Sequence, residues 1–77
     1  EGSEADAMFL DLMAEHHRGG VHMAAYAADR AATEGVRELA SRMARNQGVE
    51  INEFRQTAER LGLDVDIPPF TPPQAEP

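Results

Sequence analysis

The feature that most constrains the fold is a stretch without proline from Glu4 to Leu61, which is followed by a proline-rich C-terminal segment. Alanine, methionine, leucine, glutamate and arginine dominate the stretch, and all five are strong helix formers. The chain has no cysteine, so neither a disulfide bond nor a thiolate metal site can stabilise it. We therefore predict an all-α fold that is held together by helix packing.

One interruption divides this stretch into two helices. The segment Thr33-Glu34-Gly35 combines a capping residue with a glycine, which predicts a short turn and the start of a second helix. The predicted helices span about residues 4–33 and 36–61, and Gly62 should end the second one. Because the turn is short, the helices must run antiparallel, as a helical hairpin over residues 1–62.

Residues 63–77 are predicted to form an extended, proline-rich tail. Prolines remove backbone donors and bias the preceding residues toward extended conformations, so this segment cannot continue the helix. Ile67 and Phe70 offer apolar side chains that would pack the tail back onto the helices. A mobile terminus is the alternative.

The spacing of apolar residues assigns a buried stripe to each helix, since side chains follow one another at about 100°. The stripe of the first helix that we expect to face its partner contains Phe9, Met13, His16, Gly20, Met23 and Ala27. The stripe of the second helix contains Val36, Ala40, Met43, Gln47, Ile51, Phe54, Ala58 and Leu61, with Glu50 at its edge. Counting outward from the turn places His17 beside Glu50, which predicts a polar layer in the middle of the hairpin.

Charge and size indicate which partners to expect. The net charge is −7 and every basic residue is arginine, so the chain lacks the basic face that nucleic acid requires. No apolar run is long enough to span a bilayer, and we expect no membrane insertion. A hairpin of this size has a small core and exposes apolar side chains, so we expect a homodimer that completes a four-helix bundle. The chain begins Glu1-Gly2-Ser3, and we expect an excised or processed piece of a longer protein.

A concentration of nitrogen and sulfur donors is the strongest functional signal. The candidate metal-site residues are Met13, His16, His17, Met23, Gln47 and Glu50. Imidazole and thioether groups together favour a soft ion, Cu(I) first, over magnesium or calcium. Met13 and one or both of His16 and His17 are the predicted ligands, with Met23 as a further donor. Gln47 and Glu50 are predicted to hold a ligating histidine through its far ring N–H.

Two functions are open at this point. One is a metal-binding module, and the other is a metal-free structural or interaction domain in which a histidine, Gln47 and Glu50 fix the helix register. A di-iron site of the ferritin type is disfavoured, because such sites use several glutamates and this core offers one per chain. The sequence has no reactive cysteine, nucleophile elbow or phosphate-binding loop, so we predict no catalytic residues and do not expect an enzyme.

Several of these residues stand in a recognisable order. The ordered elements are Asp6-x-x-Phe9-x-x-x-Met13-x-x-His16-His17, then Met23-Ala24, Leu39-Ala40 and Gln47-x-x-Glu50-Ile51. Over about residues 6 to 54, this pattern resembles the bacterial domain-of-unknown-function family 305, a ferritin-like helical domain.

The resemblance carries its own expectations. It implies a ferritin-like bundle core in which the six candidate residues cluster, with Asp6 as an outer member. It also implies an extracytoplasmic location, periplasmic or secreted, and a role in copper binding or copper tolerance. The chain departs from the family at Phe54, where a methionine is common, and it is shorter than most members. The short length favours self-association into the bundle.

Overall fold

The computed structural model describes residues 2–71, and within that range the regular structure consists of two helices and no strand. Helix α1 spans Gly2–Arg30 and helix α2 spans Glu34–Leu61. They pack against each other in antiparallel orientation, with His17 of α1 beside Glu50 of α2. The predicted all-α hairpin is confirmed. Neither helix of the described chain is long and apolar enough to cross a membrane.

The turn between the helices is built around a single cap. Thr33 is extended, with φ −104° and ψ 145°, and its hydroxyl accepts a hydrogen bond from the Val36 N–H at 3.4 Å. The Arg37 guanidinium donates to the carbonyls of Ala31 and Ala32 at 2.8 and 3.2 Å. Thr33 thus belongs to the start of α2. For this reason the first helix ends three residues before the predicted position, at residue 30.

The end of α2 agrees with the prediction from the sequence. Gly62 has a left-handed backbone, with φ 66° and ψ 33°, which a residue without a Cβ adopts at little cost. Its N–H donates to the Glu59 carbonyl at 3.2 Å, and the Leu63 N–H donates to the Ala58 carbonyl at 3.0 Å. These bonds satisfy carbonyls that the last helical turn leaves without partners.

The core between the helices is narrow because it is built largely from small side chains. The buried positions are Leu10, Ala14, Val21 and Ala24 of α1, with Ala40, Gly48, Ile51 and Ala58 of α2. Ile51 is completely buried. Alanine and glycine at most of the other buried positions let the two backbones approach closely.

The face that α1 turns toward α2 differs from the predicted one. Phe9 and Met23 were expected to face the partner helix, but they are 58% and 77% exposed. Their neighbours Leu10 and Ala24 are buried instead, so the true stripe lies about 100° around the helix. The apolar arc of α1 is wider than one partner helix can cover, and the sequence periodicity did not reveal which part of it is covered.

The stripe predicted for α2 is right in its centre and wrong toward its ends. Ala40, Ile51 and Ala58 are buried as expected. The predicted core residues that stay about half exposed are Val36, Met43 and Leu61. A hairpin of two helices covers only one side of each, so apolar residues beside the contact line are left uncovered.

Residues 63–71 lie against the hairpin in a non-helical path. The Ile67 side chain is 4% exposed and belongs to the core. Asn52 binds the backbone of Phe70 twice, donating to its carbonyl at 3.1 Å and accepting from its N–H at 2.9 Å. Arg18 donates to the carbonyl of Pro68. The described part of the tail is therefore packed, and the rest of the predicted tail, residues 72–77, lies outside the described residues.

Candidate functional site

His17 lies in the middle of α1, and both nitrogens of its ring have a partner. Nδ1 is 2.8 Å from the carbonyl oxygen of Met13, one turn earlier, and Nε2 is 2.6 Å from Oε1 of Glu50. The Phe54 ring packs edge-on against the imidazole, with 5.1 Å between the centroids. The His17 side chain is 12% exposed and that of Glu50 is 50% exposed. A nearly buried ring is thus fixed in orientation, and a half-exposed carboxylate lies on its solvent side.

These two contacts determine how the ring can be protonated. A carbonyl oxygen and an ionised carboxylate only accept hydrogen bonds, so both contacts are hydrogen bonds when each ring nitrogen carries a hydrogen. The pair is then an imidazolium–carboxylate ion pair. When Nε2 loses its proton, Nδ1–H stays on the Met13 carbonyl and the Nε2 lone pair points toward Glu50. The Met13 carbonyl therefore selects the tautomer in which Nε2 is available to a metal.

Glu50 and Gln47 were both predicted to accept a hydrogen bond from a ligating histidine, at the ring nitrogen that does not bind the metal. In His17 the Met13 carbonyl oxygen accepts the hydrogen bond from Nδ1. Glu50 lies at Nε2 itself. Gln47 lies over Gly20, where a Cβ would be only 2.0 Å from the Gln47 Oε1 atom. The missing side chain at Gly20 therefore makes room for the Gln47 amide.

The other candidate residues lie on the same side of the hairpin, and His16 lies edge-on beside His17. His16 is exposed, and its ring centroid is 6.2 Å from that of His17. Met23 borders a groove of about 330 Å³ together with Gln47 and Met43. The Met13 side chain is half-buried.

Residues 2–71 of one chain do not contain the bundle core that the resemblance implies. Among the described residues no polar side chain is buried. In residues 2–71, no three or more His, Cys, Asp or Glu side chains are grouped so that they could hold a metal ion. The rotation of α1 by about 100° explains part of this difference, because it leaves His16 exposed and places Met23 at the edge of the groove instead of in the contact between the helices.

Two contributors to the site were not predicted. Phe54 was considered only as a core residue and as a departure from the family, yet its ring forms one wall of the His17 position. Its place one turn after Glu50, at the level of His17, was the available signal. The Met13 carbonyl could not be found from the sequence, because a backbone acceptor is present at every position.

The open side of the hairpin that carries these residues is called the site face below. It is formed by Phe9, His16 and Met23 of α1, with Val36, Leu39, Met43 and Glu50 of α2. The opposite side, against which residues 63–71 pack, is called the tail face. Gly48 and Asn52 lie on it.

Comparison with known proteins gives one match. A sequence profile described as "Domain of unknown function (DUF305)" matches residues 1–58, which include all of α1 and most of α2. The match contains the whole site face and excludes the tail. Neither the curated proteins nor the solved structures include a match to this chain.

Proposed function

The chain belongs to the DUF305 family, whose description assigns no activity, and we propose from its site that it binds a soft or borderline transition-metal ion, copper first. The orientation of the His17 ring is the observation that carries the proposal. Its Nδ1 is held by a carbonyl, and its Nε2 faces a half-exposed carboxylate 2.6 Å away. A metal ion at this point takes the place of the Nε2 proton.

The distance between His17 and Glu50 suits this replacement. A tetrahedral ion bound at about 2.0–2.2 Å to nitrogen and oxygen holds these two ligand atoms about 3.3–3.6 Å apart. From the present 2.6 Å, the Glu50 oxygen has to move away by about 0.7–1.0 Å. A half-exposed side chain does so easily, while Phe54 and the Met13 carbonyl keep the imidazole in place.

The donor types favour copper over other ions. Imidazole and carboxylate groups bind Cu(II) and Zn(II), whereas thioethers bind Cu(I). The Met13 side chain belongs to the turn before His17, and Met23 and Met43 border the adjoining groove. Copper therefore suits a site with both kinds of donor, because Cu(II) binds imidazole and carboxylate groups and Cu(I) binds thioethers. His16, exposed beside His17, is the nearest second imidazole.

The cellular setting rests on the resemblance alone. We place the domain in the cell envelope of a bacterium, in copper tolerance or trafficking, and regard the hairpin as half of a ferritin-like bundle. We assign it no catalytic role. Separating source cells into cytoplasmic and envelope fractions, with antibodies against this domain, tests the location. Recovery in the cytoplasmic fraction would overturn it.

A second candidate function is a metal-free interaction domain. The observation in its favour is that His17, Glu50 and the Met13 carbonyl already satisfy one another. In this alternative the polar contact fixes the register of α1 against α2, as buried polar groups do in some coiled coils.

A competition titration with Cu(I), Cu(II) and Zn(II) separates the two functions. We expect His17→Gln to weaken binding of every ion at least about tenfold, which corresponds to about 1.4 kcal/mol. Met13→Leu keeps the carbonyl and removes the sulfur, so it should weaken Cu(I) alone. His22→Gln is the matched control, because His22 is an exposed histidine elsewhere on α1. Affinity should fall as the pH is lowered, since protons compete for the imidazole.

The result that would overturn the metal proposal is equally specific. It fails if no ion binds more tightly than about 10 µM, or if the His17 and His22 variants bind alike. Circular dichroism must show that all proteins remain helical. The interaction domain then becomes the better account of the His17–Glu50 contact.

A further inference from the structure

The described chain forms one thin layer with an uncovered apolar side. Its principal extents are 47 × 25 × 13 Å, so the hairpin is about one helix thick. Stable domains are built from at least two packed layers. The tail supplies a partial second layer on the tail face, but the site face is covered by none of the described residues. Large exposed apolar surfaces of this kind mark interaction sites.

Few charged side chains lie on the site face. At about 100° per residue, Glu34, Glu38 and Glu59 lie on the other half of α2. Glu50 does lie on the site face, beside His17, and Asp6 lies one turn before Phe9 on α1. Two copies with a net charge of −7 repel each other less when most of their charges stay away from the contact. The excess of acidic over basic residues also disfavours an anionic lipid surface.

The two ends of the site face have complementary shapes. Phe9 is 58% exposed at the end that is far from the turn. The groove of about 330 Å³ lies at the other end, where the α1 residues that line it fall within 20–27. Along the helix axis, Phe9 is about 12 Å from residue 17, and the middle of the groove is about 10 Å from it in the other direction. A rotation of 180° at the level of His17 therefore brings Phe9 of each copy to the level of the groove of the other copy.

We infer that a second copy of this chain packs on the site face, and that the two His17–Glu50 pairs form one shared metal site. The two-fold axis lies in the interface, perpendicular to the helices, so that each helix packs antiparallel on its own copy. A stable interface typically buries about 800 Å² per partner, which would be about one seventh of the chain's surface of 5817 Å². The result is a four-helix bundle with antiparallel neighbours.

The dimer completes what one chain lacks. Residues 2–71 of a single chain contain no group of three or more His, Cys, Asp or Glu that could bind an ion. At the axis, two imidazoles and two carboxylates supply the four ligands of a tetrahedral ion. The shared site rests on the proposed function, but the contact between the copies does not. The shared site binds one metal ion per two chains.

Sedimentation equilibrium of the metal-free protein at about 50 µM tests the contact. Leu39→Glu is compared with Val49→Glu, since both residues are in α2 and are 49% and 59% exposed, but Val49 lies off the site face. We expect the wild type and Val49→Glu to be dimers, and Leu39→Glu to dimerise at least about tenfold more weakly. Met23→Glu is a second variant, and it should fold because Met23 is 77% exposed in one chain.

Zinc titration of the same proteins tests the shared site. We expect one Zn(II) per two chains in the wild type and Val49→Glu, and at least about tenfold weaker binding to Leu39→Glu. A monomeric wild type, or equal dimerisation of all variants, would overturn the contact with a second copy. One ion per chain with equal affinity overturns the shared site and leaves the proposed function standing. An intact dimer that binds neither zinc nor copper supports the contact and overturns both metal proposals.

Discussion

The two faces of the hairpin differ in what covers them. On the tail face, residues 63–71 add a second layer, in which Ile67 is buried and the Phe70 backbone is bound by Asn52. On the site face, apolar side chains such as Met23 remain exposed. The same two helices thus have one side that the chain covers in part by itself, beside a groove of about 570 Å³, and one side that none of the described residues covers. The tail face has a specific polar contact, and the site face carries the candidate site.

Each face also uses a glycine differently. The ring of Phe70 lies over Gly48, where a Cβ would be 2.4 Å from a ring carbon. The Gln47 amide lies over Gly20, where a Cβ would be 2.0 Å from its oxygen. A tail residue comes close to the helix backbone on the tail face. On the site face only a neighbouring side chain does so, and the groove beside it stays open.

The largest effect is expected from Ile67→Ala. It removes a buried side chain from the tail face, and such truncations cost about 2–5 kcal/mol of unfolding free energy. Ile67→Val should cost about 0.5–1.5 kcal/mol. Urea denaturation at two protein concentrations measures the unfolding free energy of both Ile67 variants. Their losses should not depend on protein concentration. The loss from Leu39→Ala on the site face should depend on it. A cost below about 1 kcal/mol for Ile67→Ala would mean that the tail does not contribute to the core.

Most of the hairpin could be predicted from local sequence. Helix formers fix the helical stretch, Gly62 supplies the left-handed end, and counting from the turn brings His17 to Glu50. The rotation of α1 could not be predicted in this way. Leu10 and Phe9 belong to adjacent apolar stripes, and their hydrophobicity does not distinguish them. Packing decides, because the Leu10 stripe contains the small residues that allow close contact.

The site was predictable in its residue types and much less so in its arrangement. The spacing of His17 and Glu50 indicated the contact, but the role of each side chain depended on the ring orientation. That orientation is set by the Met13 carbonyl at 2.8 Å. Such a contact follows from backbone geometry and the rotamer, which a pattern of side chains does not encode.

A second prediction concerns the polar contact on the tail face. Asn52→Ala removes two hydrogen bonds to the Phe70 backbone, and we expect a loss of about 1–3 kcal/mol in unfolding free energy. Asn46→Ala, in the same helix and exposed, should change it by less than about 0.5 kcal/mol. Chemical denaturation compares the two variants. Equal effects would show that the Asn52 contact does not hold the tail.

Two glycine-to-alanine substitutions are expected to change the unfolding free energy in opposite directions. Gly19→Ala should raise the unfolding free energy by about 0.5–1 kcal/mol, because alanine favours the helix and its Cβ meets no atom within 4 Å. Gly48→Ala should lower it by about 1 kcal/mol, since the new methyl group displaces the Phe70 ring from the tail face. Thermal unfolding of both variants tests this difference. A stabilised Gly48→Ala would mean that Phe70 can move away at no cost.

The smallest effect is expected on the site face, from Glu50→Gln. The substitution keeps the size of the side chain and a hydrogen-bond acceptor, but it removes the charge that faces His17 at 2.6 Å. Glu50 is half exposed, so water and salt screen the ion pair, and its loss should cost less than about 1 kcal/mol. Glu53→Gln, a neighbouring exposed position, is the matched control.

Urea denaturation in low salt and in about 1 M NaCl measures how much of the ion-pair energy is screened by salt. In about 1 M NaCl the Debye length falls to about 3 Å. We expect the difference between the two variants to disappear in high salt. These values apply to the single chain, so both variants are compared at a protein concentration at which they are monomers. A loss above about 2 kcal/mol that salt does not reduce would then contradict a half-exposed ion pair.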